Sequence, residues 1–156
     1  MHELEMKQKL VAIARSFYER GFVVGSAGNM SVLLEDGTYL ATPTGSSFGS
    51  LTEVEVSHFS KDGTLLGGKP PTKEVPFHLA CYASHPSARA VVHLHSTYST
   101  LLASCEGLED GQPFMPFTPY FVMKVDNVGI LEYRKPGSAQ IAQDILKKSQ
   151  YSTYLM

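Results

Sequence analysis

Val91-Val92-His93-Leu94-His95-Ser96 has the pattern of a buried strand that ends in two histidines. Because side chains alternate between the two faces of a strand, His93 and His95 are expected to point the same way. Two imidazoles at this spacing can bind one metal ion, with nitrogen–metal distances of about 2.0–2.1 Å. The alternative is a pair of polar residues at a strand end, hydrogen-bonded to neighbours or to water. The stretch therefore predicts a strand and a candidate metal site at its end.

The segments on either side alternate between helix and strand patterns. Apolar residues recur every three or four positions over about 3–20, which predicts an amphipathic helix. Its inner face comprises Met6, Leu10, Ile13 and Phe17. Asp36-Gly37 and Lys61-Asp62-Gly63 are turn sequences that predict two hairpins. The remaining predicted elements are a strand within 54–60, helices over about 73–84 and 97–105 and from Ser138, and strands at 89–95 and 151–156. This order predicts an α/β sandwich, with helices on both faces of a mixed sheet.

Three of these elements carry more detailed expectations. Thr72 is predicted to cap the helix over about 73–84, and Ser96 the helix that follows the two histidines. The helix that begins at Ser138 should bury Ile141, Ile145 and Leu146. The segment 121–133 has strand-like apolar pairs without a clean period.

Length and composition restrict the class of protein. The 156 residues suffice for one domain with a sizeable core, and we expect a single domain over 1–156. The net charge of −2 and the lack of a basic block argue against nucleic acid and anionic membranes as partners. The charged N-terminal segment lacks a signal-peptide core, and no apolar run is long enough to span a membrane, so a cytoplasmic location is expected. Cys81 and Cys105 are too few and too far apart for a disulfide scaffold.

Glu74 is expected in the first turn of a helix, directly after Thr72 and Lys73. A carboxylate there interacts favourably with the helix N-terminus, which is the simple interpretation. The functional interpretation is a general acid/base, or a group that touches the metal. His78 lies four residues on and shares the same helical face, where a packed or supporting role is expected. Lys73 is either a solvent-exposed lysine or a cation that faces a substrate carboxylate or phosphate.

Two loops of small, hydroxyl-bearing residues could bind an anion. They are Ser26-Ala27-Gly28-Asn29 and Thr44-Gly45-Ser46-Ser47. Loops that expose backbone N–H groups beside hydroxyls form anion-binding concavities, for which phosphate is the natural ligand. Neither loop matches a known nucleotide-binding pattern, so each could equally be an ordinary turn.

Taken together, five stretches resemble the class II aldolase/adducin family in order and spacing. They are Ser26-Ala27-Gly28-Asn29-Met30-Ser31, Thr42-Pro43-Thr44-Gly45, Pro71-Thr72-Lys73-Glu74, His78 and Ala90-Val91-Val92-His93-Leu94-His95-Ser96. The resemblance runs from about residue 5 to the end of the sequence. It implies a three-layer α/β/α sandwich with a mixed, largely antiparallel central sheet. It also implies a zinc-type site and a homo-oligomer, commonly a cyclic tetramer with active sites between subunits.

Transferred position by position, the resemblance assigns roles to individual residues. His93 and His95 become metal ligands, and Glu74 becomes the acid/base and a further candidate ligand. The residues expected to bind the substrate phosphate are Asn29, Thr44, Gly45 and Thr72. Lys73 stands where many relatives have a serine, and Tyr120 roughly matches a tyrosine that reaches into a neighbouring subunit's site. The family's third metal histidine follows a strand like 151–156. It is therefore expected beyond Met156, in a C-terminal part that the sequence lacks.

Within the family, Lys73-Glu74 and the segments 118–125 and 133–137 most resemble a branch that decarboxylates 3-oxo-tetronate 4-phosphates. The implied activity is a carbon–carbon lyase dependent on zinc or another divalent metal. It would convert a phosphorylated sugar acid to dihydroxyacetone phosphate and carbon dioxide through a metal-stabilised enediolate, and Lys73 would hold the departing carboxylate. One alternative is an aldolase or epimerase of the fuculose or ribulose phosphate type. Another is a non-catalytic, adducin-like assembly module.

Overall fold

A computed structural model describes residues 3–125 and 127–156 of the chain. Its helices are α1 (Glu3–Glu19), α2 (Val75–Ser84), α3 (Thr97–Ala103), α4 (Pro119–Lys124) and α5 (Ala139–Lys147). Its strands are β1 (Asn29–Leu33), β2 (Tyr39–Ala41), β3 (Ser57–Phe59), β4 (Leu65–Gly67), β5 (Ala90–His93), β6 (Val128–Ile130) and β7 (Thr153–Leu155).

The main sheet is antiparallel, with strand order β4-β3-β2-β1-β5. The predicted hairpin at Asp36-Gly37 joins β1 to β2. Asp36 Oδ1 accepts a hydrogen bond from the backbone N–H of Thr38 at 2.9 Å, and Gly37 adopts a φ of 85° that favours glycine. β6 and β7 pair in parallel and form a separate two-stranded sheet. The parallel strand pair β6–β7 therefore lies outside the main sheet.

Helices cover both faces of the main sheet. The core on one face comprises Leu10, Val11 and Ala14 of α1 with Met30, Val32 and Leu40 of the sheet. The core on the other face comprises Tyr39, Ala41 and Phe59 of the sheet with Tyr82 of α2. The outer side of α2 packs on α5 through Phe77, Ala80, Ile141 and Ile145. This arrangement confirms the predicted α/β/α fold with a largely antiparallel central sheet.

Some expected details are wrong. Ile13 is 49% exposed, because the buried stripe of α1 runs through Leu10, Val11 and Ala14. Leu146 is 50% exposed, since α5 turns only Ile141 and Ile145 inward.

The predicted caps also differ from those observed. α2 begins after Glu74, not Thr72; the Thr72 hydroxyl oxygen accepts a hydrogen bond from the backbone N–H of Glu74 at 3.3 Å. Ser96 precedes α3 as predicted, but its hydroxyl donates to Ser99 Oγ and does not cap the helix.

The segment 121–133, whose apolar pairs have no clean period, contains the end of α4 and the strand β6. α4 begins at Pro119, where the fixed φ of proline suits the first helical position. Thr118 caps it by accepting a hydrogen bond from the Phe121 N–H at 3.2 Å. The start of α4 is therefore set by its capping residues, and not by a periodic pattern of apolar residues.

In residues 3–125 and 127–156, none of the helices combines the length and hydrophobicity needed to cross a bilayer.

Candidate active site

The pairing of β1 with β5 brings the candidate residues together. In this antiparallel register Asn29 lies opposite His93. The close approach requires a glycine just before β1, because a Cβ on Gly28 would lie 2.8 Å from the His93 carbonyl oxygen. Gly28 also has a φ of 77°, which other residues rarely adopt. The small-residue loop at 26–29 therefore allows the start of one strand to meet the end of the other.

The two histidines lie side by side, as the strand pattern predicts. His93 is the last residue of β5, and the ring centroids of His93 and His95 are 4.7 Å apart. The His93 ring also meets the buried Phe77 edge to face, with centroids 5.4 Å apart. This packing fixes the ring of His93, whereas His95 is more open to solvent.

Glu74 connects the end of β5 to the start of β1. Its Oε2 lies 2.8 Å from His93 Nδ1 and 2.6 Å from Asn29 Nδ2. An ionised carboxylate can only accept, so both nitrogens donate their hydrogens to the same oxygen. The 3.4 Å separation between Asn29 Nδ2 and His93 Nδ1 is then a contact between two donors, not a hydrogen bond. With its hydrogen on Nδ1, a neutral His93 ring carries a free lone pair on Nε2, as a metal ligand needs.

Opposing effects set the pKa of Glu74. Burial alone would raise the pKa, but the hydrogen bonds from His93 and Asn29 outweigh it and hold the pKa below the ordinary value of 4.5. Burial, and then the neighbouring His93, lower the pKa of His95. At neutral pH Glu74 is therefore an ionised carboxylate, and His95 loses its proton more easily than an ordinary histidine.

Behind Asn29 lies a buried series of hydrogen-bonded polar side chains that the sequence patterns above do not predict. His78 is 1% exposed; its Nε2 bonds to Asn29 Oδ1 and its Nδ1 lies 2.8 Å from Ser31 Oγ. Ser31 Oγ in turn lies 2.9 Å from the hydroxyl of Tyr82. Two signals could have predicted this series: Asn29 and Ser31 share a strand face, and His78 and Tyr82 share a helix face. Burial lowers the pKa of His78 to about 3, so its ring is neutral at physiological pH.

The remaining phosphate candidates lie in two neighbouring loops. The Thr44 N–H donates to the Pro70 carbonyl at 3.2 Å, and the Thr72 N–H donates to the Thr42 carbonyl at 3.1 Å. These bonds place the exposed Thr44 and Gly45 beside the segment that carries Thr72 and Glu74. The hydroxyl of Thr72 already accepts from the Glu74 N–H. The structure therefore gathers these residues on the Glu74 side of the site.

Lys73 and Tyr120 occupy different surroundings. Lys73 is exposed, and its Cβ lies close to Gly137, in the loop before α5. Tyr120 lies on α4 and is 75% exposed. The described lining of the cavity that holds His93 and His95 includes neither Lys73 nor Tyr120. Lys73 is adjacent to Glu74 in sequence but does not line this cavity, and Tyr120 is not brought to the site within this chain.

A cavity of about 590 Å³ opens beside the histidines. Glu74, His93 and His95 contribute its polar wall, while Phe77, Leu131 and Ile141 contribute apolar wall. This volume lies within the roughly 300–1,000 Å³ typical of small-molecule sites. The cavity is large enough for a small metabolite, and its described lining does not include the phosphate candidates Asn29, Thr44, Gly45 and Thr72.

The donor set fits two nitrogen ligands of a divalent metal. Paired imidazoles favour zinc among the common metals, and Glu74 fixes the His93 tautomer that leaves Nε2 free to bind. Within residues 3–125 and 127–156, no group of three or more His, Cys, Asp or Glu side chains is arranged to hold a metal ion. His93 and His95 therefore suit a metal but supply only part of its coordination.

Comparison with known proteins finds relatives of this chain in sequence and in fold. The profile of the class II aldolase and adducin N-terminal domain matches residues 8–156. A 3-oxo-tetronate 4-phosphate decarboxylase from Escherichia coli O6:H1 is 50% identical over 143 residues, which cover 92% of this chain and 68% of the relative. An L-fuculose phosphate aldolase from Methanocaldococcus jannaschii is 34% identical over 92% of this chain and 76% of its own length. The crystal structure of YgbL from Klebsiella pneumoniae superposes with a TM-score of 0.95 at 42% identity, over 99% of this chain and 75% of that one.

Proposed function

The chain belongs to the class II aldolase and adducin family, and on that premise we propose that it is a carbon–carbon lyase that decarboxylates a 3-oxo-tetronate 4-phosphate. Sequence similarity favours this activity, because the relative named for it is identical to this chain at 50% of the aligned positions, whereas the aldolase relative is identical at 34%. The structural observation that carries the proposal is the Glu74 carboxylate, which faces the cavity and accepts hydrogen bonds from His93 and Asn29.

The reaction sets two chemical requirements. The bond between C1 and C2 of the 3-oxo acid breaks, carbon dioxide leaves, and the electron pair passes into C2 and the neighbouring carbonyl. C2 of the resulting enediolate then takes up one proton to give dihydroxyacetone phosphate. One proton is consumed in each turnover, so the site must stabilise negative charge and deliver a proton to carbon.

His93 and His95 would hold a divalent cation, with His93 binding through Nε2; Glu74, which lies against the opposite ring nitrogen, is placed to orient His93 and not to share the cation in this geometry. When bound, such a cation supplies Lewis-acid stabilisation of the developing negative charge, worth several kcal/mol. The hydrogen bond from His93 Nδ1 to Glu74 keeps the opposite ring nitrogen free for this role. We propose zinc, because imidazole ligands favour it.

We propose that Glu74 transfers the proton to C2. It lines the cavity, takes a proton from its solvent side and passes that proton to C2. The lowered pKa of Glu74 does not oppose this step, because carbon in an enediolate is far more basic than a carboxylate. A positioned side chain of this kind typically contributes about 10²–10⁴-fold to the rate.

The loops around Glu74 would bind the rest of the substrate. Asn29 commits one N–H to Glu74, and its second N–H can donate to a phosphate oxygen. The proposed companions in phosphate binding are Thr44, Gly45 and Thr72. Lys73, exposed and next to Glu74, would attract the carboxylate that leaves as carbon dioxide.

The test is an assay of purified protein, reconstituted with zinc, on both enantiomers of 3-oxo-tetronate 4-phosphate. We expect equal amounts of carbon dioxide and dihydroxyacetone phosphate. When the reaction runs in D₂O, one deuterium should appear on the hydroxymethyl carbon of the product, which derives from C2 of the substrate. Ketose phosphates of the fuculose and ribulose type serve as competing substrates. Release of an aldehyde from these, without decarboxylation of the 3-oxo acid, would favour the aldolase alternative, which the L-fuculose phosphate aldolase relative supports.

We also propose a cytoplasmic homotetramer whose neighbouring subunits contribute Tyr120 to each other's sites. The exposure of Tyr120 supports a role outside its own chain. Other large apolar side chains on and around α3 and α4 are similarly exposed, namely Tyr98, Phe117 and Met123. Light scattering would measure the oligomeric state, and a monomer with full activity would contradict the shared site.

A further inference from the structure

We propose that His78, held in place by Ser31 and Tyr82, is a positioning residue that fixes the side-chain amide of Asn29 so that the amide nitrogen faces Glu74. This inference rests on the proposed function, because the Glu74 that Asn29 contacts is the group proposed to move the proton. His78 itself is buried behind Asn29 and does not line the described part of the cavity.

The hydrogen bonds that run from Tyr82 to Glu74 all donate in the same direction. Glu74 can only accept, so Asn29 turns Nδ2 toward it and Oδ1 toward His78. Asn29 Oδ1 can also only accept, so the hydrogen of the neutral His78 ring lies on Nε2. His78 Nδ1 is then an acceptor, and it receives the hydrogen of Ser31 Oγ. The Ser31 oxygen in turn accepts from the hydroxyl of Tyr82.

The other tautomer of His78 would reverse these hydrogen bonds and disturb Glu74. If the His78 hydrogen moved to Nδ1, its Nε2 would require a donor, and Asn29 would have to turn its amide around. Asn29 Oδ1 would then face Glu74 Oε2 at the position where Nδ2 now lies 2.6 Å away. Two acceptors at that separation repel each other, so Glu74 would move or become protonated. The tautomer of His78 is therefore linked to the placement of Glu74.

Burial prevents water from replacing these partners. Ser31 and His78 are each 1% exposed, and Tyr82 is also buried between α2 and the sheet. The Phe77 ring stacks against His78, with centroids 4.6 Å apart. A polar group that loses its partner at this depth cannot find another in solvent. The hydrogen bonds through Tyr82, Ser31 and His78 therefore restrict the Asn29 amide to one orientation.

The first test reads the tautomers without substrate or metal. In ¹⁵N-histidine-labelled protein, we expect the resonance that disappears in His78→Gln to belong to a neutral ring with its hydrogen on Nε2. Removing the hydroxyl of Ser31 in Ser31→Ala should allow the other tautomer to appear. A wild-type His78 with its hydrogen on Nδ1, or a doubly protonated ring at neutral pH, would overturn the inference.

The second test separates positioning from packing. In His78→Gln the side-chain amide can place an N–H where Nε2 now donates to Asn29, whereas the shorter His78→Asn cannot reach. We expect His78→Asn to lose about 10–100-fold in kcat, since a small misplacement of a catalytic group has effects of this size. KM should rise as well, because the Asn29 amide that His78 holds is also proposed to contact the substrate phosphate. His78→Gln should recover most of that loss. Equal activity of the two folded variants would reject a positioning role.

The two proposals fail in different ways. A wild-type protein that released no carbon dioxide from the 3-oxo acid would contradict the proposed function. The NMR spectrum would still report the His78 tautomer, and an Nε2–H ring would support the fixed Asn29 amide. If His78→Asn does not fold, Ser31→Ala replaces it in the kinetic test, with Ser57→Ala as the matched control. Ser57 is likewise a buried serine, on β3, and is not one of the residues that position Asn29, so we expect that variant to retain near wild-type kcat.

Discussion

Glu74 Oε2 lies 2.8 Å from His93 Nδ1, and this contact joins the proposed acid/base to a proposed metal ligand. The bond fixes the His93 tautomer, and together with the Asn29 bond it keeps Glu74 ionised despite burial. A change to any of these three residues should therefore affect both proton transfer and metal binding, though to different extents.

Glu74→Gln should abolish most of the proton transfer. Glutamine keeps the shape but cannot carry the proton, so we expect kcat to fall by about 10²–10⁴-fold. Steady-state assays of dihydroxyacetone phosphate release measure the effect. Glu55→Gln is the matched control, because Glu55 pairs with Lys69 on the surface. A Glu74→Gln variant that kept wild-type turnover would exclude Glu74 as the acid/base.

Replacing the two histidines should remove the metal. We expect about one zinc per chain in the wild-type protein and none in His93→Ala/His95→Ala, since imidazole nitrogens are the proposed ligands. Elemental mass spectrometry on purified protein gives the ratio. His58→Ala is the control, because His58 bonds to Thr38 and lies near Glu3, away from this site. Retention of stoichiometric zinc by the double variant would place the metal elsewhere.

Local patterns in the sequence predicted most of the architecture but less of the site. Strand alternation correctly placed His93 and His95 together, and turn residues correctly marked the hairpin at Asp36-Gly37. Ile13 and Leu146 were misplaced because helical spacing alone leaves two adjacent stripes, and only tertiary packing decides between them. The bonds of Glu74 to Asn29 and His93 depend on the register of β1 with β5, which no local pattern specifies.

Lys73→Met should impair decarboxylation and leave the metal in place. The substitution removes a cation beside Glu74 but keeps the length of the side chain, so we expect a higher KM for the 3-oxo acid and lower turnover. The loss should be smaller for substrates without a carboxylate. Lys69→Met, which changes a lysine paired with Glu55, is the control. Unchanged turnover on the 3-oxo acid would remove the proposed role of Lys73.

Acid should destabilise the metal-free protein through His78. Burial holds the pKa of His78 near 3 in the folded state, against 6.5 for an ordinary histidine. Between these values the unfolded chain binds a proton that the folded chain does not, so stability is complete above pH 6.5 and falls as the pH decreases toward 3. One such group contributes a slope of at most about 1.4 kcal/mol per pH unit. Urea unfolding at several pH values would measure it.

The matched variant for this prediction is His78→Gln, which keeps an N–H for Asn29 but cannot be protonated in this range. Its free energy of unfolding should depend less on pH between 6.5 and 3 than that of the wild-type protein. Glu74 acts in the same direction at the acid end, because its pKa is lowered as well, so the comparison is cleanest between pH 5 and 6.5. Parallel pH profiles for the two proteins over that interval would show that His78 is not held neutral by the fold.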